Sequence, residues 1–122
     1  MVESSCGNII SRIRGGEFGT VYASRESLHE IYYVSKEVGI SLDEIIARAA
    51  ALTSVENLVF LDNTYEIDLL ALVLMKQYNL GSIFDAYYAA TVLNQVLDRV
   101  IISTDTVFDR IPGLRRVDPR EL

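Results

Sequence analysis

Two acids close the segment "VIISTDTVFDR" (100–110): Asp105, directly after an apolar run and the hydroxyls of Ser103 and Thr104, and Asp109 one helical turn on. Open parallel sheets bind ligands just past the carboxyl ends of their strands. A carboxylate delivered there could hold a ligand. The plainer reading is an Asp-rich turn or an N-cap before a short helical turn. Asp109 is then either a second acid or a surface partner for arginines. Asp85, in "GSIFDAYYAATV" (81–92), shares a helical face with Tyr88, Ala89, Val92 and Val96, which is otherwise apolar. Ser82 to Asp85 also fits the capping-box pattern, which needs no function. Glu30, in "SLHEIYY" (27–33), lies just inside the helix after the first strand, and its default reading is a solvated glutamate. His29 is the only histidine and Cys6 the only cysteine, so no zinc set forms around them.

Each acid lies at, or within two turns of, a strand's carboxyl end or a helix start. A doubly wound sheet would gather such points at one edge. Carboxylates brought together raise one another's pKa, and a divalent cation removes that penalty. Oxygen donors without thiolate or paired histidine select Mg²⁺ or Mn²⁺. A metal so held and facing a phosphate can activate water and stabilise in-line displacement.

The elements that must position these acids can be read from periodicity. "NIISRIR" (8–14) spaces Ile9, Ile10 and Ile13 as a helix face that Gly15–Gly16 ends. "GTVYAS" (19–24) predicts a strand, and 25–39 a helix with Leu28, Ile31, Tyr32 and Val38 on one face. A second helix follows over 41–53, with Ser41 as its cap and Glu44 placed to reach back. "NLVFLD" (57–62) predicts a strand. The helix over 64–81 is apolar almost all round: Ile67, Leu70, Ala71, Leu74 and Tyr78 on one face, Leu69, Leu72 and Val73 on the other. One of those faces is expected to meet a partner subunit. A helix over 82–97 and strands over 99–103 and 114–118 complete the pattern. Strands alternating with helices predict an α/β domain with a parallel sheet.

The 122 residues suit one domain, 1–122, with one core. Half are hydrophobic and 23% are charged, a globular composition. The lone cysteine predicts a reducing, cytoplasmic setting. "MVESSCGN" has neither the basic flank nor the apolar run of a secretory signal. "LLALVLM" (69–75) is too short to span a bilayer, so no membrane association is expected. A net charge of −6 argues against generic nucleic-acid binding. The tail differs locally: Arg110, Arg115, Arg116 and Arg120 stand against Asp118 and Glu121, either a solvated mixed-charge end or a phosphate-binding edge.

"FDAYYAATVLNQVLDRVIISTDTVFDRIPGLRRVDP" (84–119) resembles the carboxyl half of a PIN domain, the ribonuclease fold of VapC-type toxins. Asp85, Ala86, Ala89, Ala90, Thr104, Asp105, Phe108, Gly113 and Leu114 fit the family pattern. "GTVYASRESLHEIYYV" (19–34) fits its earlier segment, where Glu30 stands for the second acid. The likeness spans roughly residues 8 to 119. It implies a three-layer domain with a central, mostly parallel sheet flanked by helices. It implies a Mg²⁺- or Mn²⁺-dependent endoribonuclease, homodimeric and paired with an antitoxin protein. Glu30, Asp85 and Asp105 would hold the metal, with Asp109 as a further acid. Thr104, Arg110, Arg115 and Arg116 would contact single-stranded or structured RNA.

The family usually opens with an apolar strand ending in an Asp, and "MVESSCGNII" offers none. The central strand between 19–24 and 99–103 would then be missing, leaving edges unpaired at about 1–3 kcal/mol per unsatisfied group. A start further upstream, direct pairing of the flanking strands, a strand borrowed from a second copy, or a degenerate remnant would each account for this. The competing function is a catalytically impaired PIN-like module for dimerisation or antitoxin binding. A phospho-acceptor domain ranks lowest, because it needs two acids after the first strand and a lysine after the last.

Overall fold

The computed structural model describes residues 2–122, with side chains from residue 8 onward. Its elements are α1 (Val2–Arg14), β1 (Val21–Ser24), α2 (Glu26–Glu37), α3 (Leu42–Thr53), β2 (Leu58–Leu61), α4 (Tyr65–Tyr78), α5 (Ile83–Gln95), β3 (Val100–Ile102) and β4 (Arg115–Val117). Short 3₁₀ turns cover Thr106–Arg110 and Pro119–Glu121. Every helix and strand expected from periodicity is present, in the expected order, and the class is α/β. The largest boundary difference is at α1, which begins at Val2 rather than near residue 8. Periodicity is blind to a first turn without apolar spacing, and Glu and Ser carry helical backbone at modest cost.

Helix ends follow side-chain chemistry. The hydroxyls of Ser41, Thr64 and Ser82 accept from the N–H groups of Glu44, Ile67 and Asp85 at 3.3, 3.3 and 3.5 Å. Each satisfies one of the donors that a helix start leaves without a partner. Glu44 does not complete a reciprocal box; its carboxylate accepts from Arg48 Nε at 3.1 Å, one turn on. α2 ends before Val38, so Val38 leaves the helix face and is exposed. Ser35, one turn past Ile31, is the buried residue of that helix instead.

The strands pair two by two. β1 and β2 run parallel with Val21 opposite Leu58 and Ser24 opposite Leu61. β3 and β4 run parallel with Val100 opposite Arg115 and Ile102 opposite Val117. Each unit thus holds one two-stranded parallel sheet among the described residues. The chain divides into two compact units, one ending at Leu61 and one spanning Asp62–Leu122.

In the first unit, Asn57 sits in the left-handed region at φ 68° just before β2. Its Nδ2 donates to the carbonyls of Ile13 and Arg14, both at 3.2 Å, so the end of α1 is tied to the β2 entry. Arg12 holds Glu17 through two 2.7 Å hydrogen bonds and stacks over Phe18. In the second unit, α4 and α5 pack on small residues. Ala71, Ala86, Ala89 and Ala90 are fully buried beside Ile67, Leu74 and Leu80, and Ile101, Phe108 and Ile111 extend this core to β3 and the 3₁₀ turn. The Ile67 face of α4 is thus the buried one, while Leu69, Leu72 and Val73 remain 60, 57 and 53% exposed. Among the described residues, no single helix is long and apolar enough to cross a membrane.

Candidate functional site

The second unit carries most of the expected site. β3 ends at Ile102 and releases Ser103, Thr104 and Asp105 at the sheet edge. There the backbone is fixed by local acceptors. Asp105 N–H donates to Ser103 Oγ at 3.0 Å, and Asp105 Oδ1 accepts from Val107 N–H at 3.0 Å. Asp105 is therefore the N-cap of the 3₁₀ turn, with its side chain exposed at the rim. Thr104 is exposed beside it. The turn is anchored from below by Phe108 and Ile111, both 2% exposed.

Asp109 is the partner of Arg116. Its two carboxylate oxygens accept from Arg116 Nε and Nη2 at 3.0 and 3.2 Å, a bidentate pair. Arg116 also donates through Nη1 to the Ser103 carbonyl at 3.2 Å. The guanidinium is thus a strut that joins β4, the 3₁₀ turn and the end of β3. Asp109 holds the Arg116 pKa above its ordinary value. Arg110 and Arg115 are exposed.

Asp85 lies in the first turn of α5, half-buried, and its N–H donates to Ser82 Oγ. The carboxylate is placed by the burial of Ala86, Ala89 and Ala90 immediately after it. A contact that sequence reading missed fastens the same turn: Tyr87 Oη donates to Asp68 Oδ1 on α4. Thr91 Oγ1 bonds back to the Tyr87 carbonyl at 2.8 Å. Within "DAYYAA" the two tyrosines look interchangeable. The only signal for Tyr87 was its place one turn before Thr91 and one after Ile83.

Glu30 belongs to the first unit. β1 ends in Ser24, which is buried and braces the start of α2 from the residue before its N-cap, Arg25: its Oγ accepts from Glu26 N–H at 3.1 Å and its carbonyl from Ser27 Oγ at 2.7 Å. Glu30 falls half-buried in the second turn of that helix. His29 faces out, 3.0 Å from Glu26 Oε2, as a surface residue.

Among the described residues, no group of three or more His, Cys, Asp or Glu side chains is arranged to hold a metal ion. The donor chemistry agrees within the second unit, where Asp105 serves a backbone N–H and Asp109 a guanidinium.

Searches of curated proteins and of solved structures returned no significant match. The family comparison did: the PIN domain matches residues 6–114. That span holds both "GTVYAS" and its following helix, and "DAYYAA" with "ISTDTVF". The chain belongs to the PIN domain family, whose members are nucleases that generally use divalent metals.

Proposed function

We propose that the chain is a metal-dependent endoribonuclease acting on single-stranded or structured RNA in the cytoplasm, as the toxin of a toxin–antitoxin pair, with its two units as halves of a single domain. The observation that carries this reading is the PIN match over residues 6–114. Glu30, Asp85 and Asp105 are the acids that would hold Mg²⁺ or Mn²⁺, and the ion would supply an activated water and charge neutralisation at the phosphate. Asp109 would remain a further acid only if Arg116 released it. Thr104, exposed at the rim beside Asp105, would contact the RNA, and Arg110, Arg115 and Arg116 would serve its backbone.

The test is a calorimetric titration with Mn²⁺ of wild type beside Asp85→Asn, with cleavage of a labelled single-stranded RNA followed in parallel. The expected result is weak binding, lowered about tenfold or more in the variant, and slow cleavage abolished by EDTA. Equal affinity in both proteins would return Asp85 to its capping role. Cleavage that survives EDTA would end the metal mechanism.

A second reading has its own support. Asp105 and Asp109 are engaged by a backbone N–H and a guanidinium, and Leu69, Leu72 and Val73 leave an apolar face on α4. On this reading the chain is a catalytically impaired module for homodimerisation or antitoxin binding. It predicts no Mn²⁺ binding, no cleavage, and a dimer by analytical ultracentrifugation that Leu72→Lys dissociates.

A further inference from the structure

The arginines of the second unit divide into two kinds. Arg116 is held by Asp109 and the Ser103 carbonyl, and Arg120 is held by Asp118, with Nη2 and Oδ2 2.6 Å apart. Arg99, Arg110 and Arg115 are exposed, and none has an acidic partner among the described residues. Arg110 and Arg115 flank one tight turn in sequence, and Arg99 lies against it. Ile111 to Leu114 closes with Leu114 N–H donating to the Ile111 carbonyl at 3.3 Å, with Pro112 and Gly113 at its centre and Gly113 at φ 89°. That is the pattern of a type II turn, which requires a residue like glycine at its third position. Arg110 immediately precedes the turn and Arg115 follows it. Arg99 reaches it from the position just before β3: its Nη1 lies 3.5 Å from where a Cβ on Gly113 would stand. Its carbonyl accepts Arg115 N–H at 3.0 Å.

Arg99 also carries a backbone cost. It sits in the left-handed region at φ 55°, where a side chain other than Asn or Asp is disfavoured. The fold alone would be better served there by glycine. An arginine held in a glycine conformation, with its guanidinium against a turn that Arg110 and Arg115 flank in sequence, is a feature that backbone stability does not explain. The one acid adjacent in sequence, Asp98, turns its Oδ1 to Val100 N–H at 3.0 Å.

We infer that Arg99, Arg110 and Arg115, grouped around the Ile111–Leu114 turn, form a binding site for the phosphodiester backbone of single-stranded RNA. The site lies at the amino-terminal edge of the β3–β4 pair, where Arg99 and Arg115 enter their strands. Thr104 and Asp105 lie at the opposite, carboxyl-terminal edge. A strand of RNA engaged at the turn is thus held away from the rim that carries the acids. Arg116 stands outside this cluster, held by Asp109 and the Ser103 carbonyl. The inference rests on the reading of RNA as ligand and does not need catalysis.

The experiment is fluorescence anisotropy of a labelled single-stranded RNA dodecamer against the full chain in EDTA, across a series of NaCl concentrations. Binding in EDTA is read separately from cleavage, so a chain that binds but does not cut would count against the nuclease reading alone. Each lost phosphate contact lowers the slope of log K against log salt by about 0.7 for a single strand. Arg99→Ala with Arg115→Ala is expected to weaken binding at least about tenfold and to reduce the slope by about 1.4. Arg12→Ala, in the first unit, is expected to leave the slope unchanged. Arg99→Gly separates binding from folding: the left-handed backbone is relieved, so the thermal midpoint should hold or rise while RNA affinity falls. Wild-type affinity and slope in the double variant, or no RNA binding by wild type, would overturn the site. So would a fall in the midpoint of Arg99→Gly, since the arginine would then be structural. Equal competition by single-stranded DNA supports a site that reads phosphate alone.

Discussion

The two units reach order by different routes. In the second, one contiguous core runs from α4 through α5 to β3 and the 3₁₀ turn, with ten buried apolar residues from Ile67 to Ile111. In the first, the buried apolar residues among those described are Ile13, Ile45 and Val55, and the fold leans on polar ties: Asn57 to the end of α1, Arg12 to Glu17, Ser24 to the start of α2. Apolar burial is worth about 25 cal/mol per Å², whereas a net hydrogen bond contributes only about 0.5–1.5 kcal/mol. The half with the core should therefore be the more stable half. It also holds Asp85, Thr104 and Asp105, so most of the candidate chemistry stands on the better-packed scaffold.

The strongest way to break this comparison is to cut the core in each unit. Phe108→Ala should destabilise by about 3–5 kcal/mol, since an aromatic ring at 2% exposure leaves a cavity that its anchored turn cannot fill. Ile45→Ala should fall near the lower end of the roughly 2–5 kcal/mol expected for such truncations, because few buried neighbours surround it. Urea midpoints would measure both. Equal losses would mean that the first unit is as tightly packed as the second.

A smaller effect sharpens the same contrast. Ser41 and Thr64 make equivalent caps, 3.3 Å from the N–H three residues on, one in each unit. Replacing either with Ala should cost about 1 kcal/mol. The consequence should differ in kind. Loss of the Thr64 cap weakens α4, which is inside the core, and should lower global stability. Loss of the Ser41 cap should be absorbed by local opening of α3. Native-state hydrogen exchange distinguishes the two, because local opening deprotects α3 amides without shifting the slowest ones.

What could be read from the sequence tracks how local each determinant is. Caps, glycine stops and apolar spacing act within a turn or two, and they located α2 to α5 and all four strands. The buried face of α4 was legible because Ile67, Ala71 and Leu74 repeat at helical spacing. Strand partnering was not, since nothing within "GTVYAS" or "RVIIS" says which strand lies beside it. The alternatives for Asp109 stayed open for the same reason: Arg116 reaches it only once β4 is in register beside β3. Tyr87 and Asp68 meet across two helices whose crossing the pattern does not encode. Arg99 is the extreme case. "LDRV" holds no glycine or asparagine, so no residue type announced a left-handed turn there.

The smallest expected effect lies in the acid limb of stability, and it sets one arginine–carboxylate pair in each unit side by side. Arg120 holds the Asp118 carboxyl below its ordinary value of 3.8, to about 2, through its side chain and then its backbone N–H. Arg12 lowers Glu17 below its ordinary 4.5 by the same kind of side-chain hydrogen bond. A carboxylate depressed in the folded state binds its proton more readily when unfolded. Its contribution is therefore complete above the unfolded pKa and lost as pH falls through the folded one. For Asp118 that window runs from about 3.8 down to about 2. One member of each pair, Arg120 and Glu17, faces solvent, so salt should screen each pair and each effect should be modest. Thermal midpoints taken between pH 5 and 2 should fall less steeply in Arg120→Ala than in wild type, and added salt should narrow that gap. Arg12→Ala should flatten the limb from a higher pH, near 4.5, because Glu17 begins to titrate there. If the first unit opens before the second in acid, the Arg12 variant will change the onset of unfolding and the Arg120 variant only its completion. A common onset would show instead that the two units lose their order together, whatever their difference in packing.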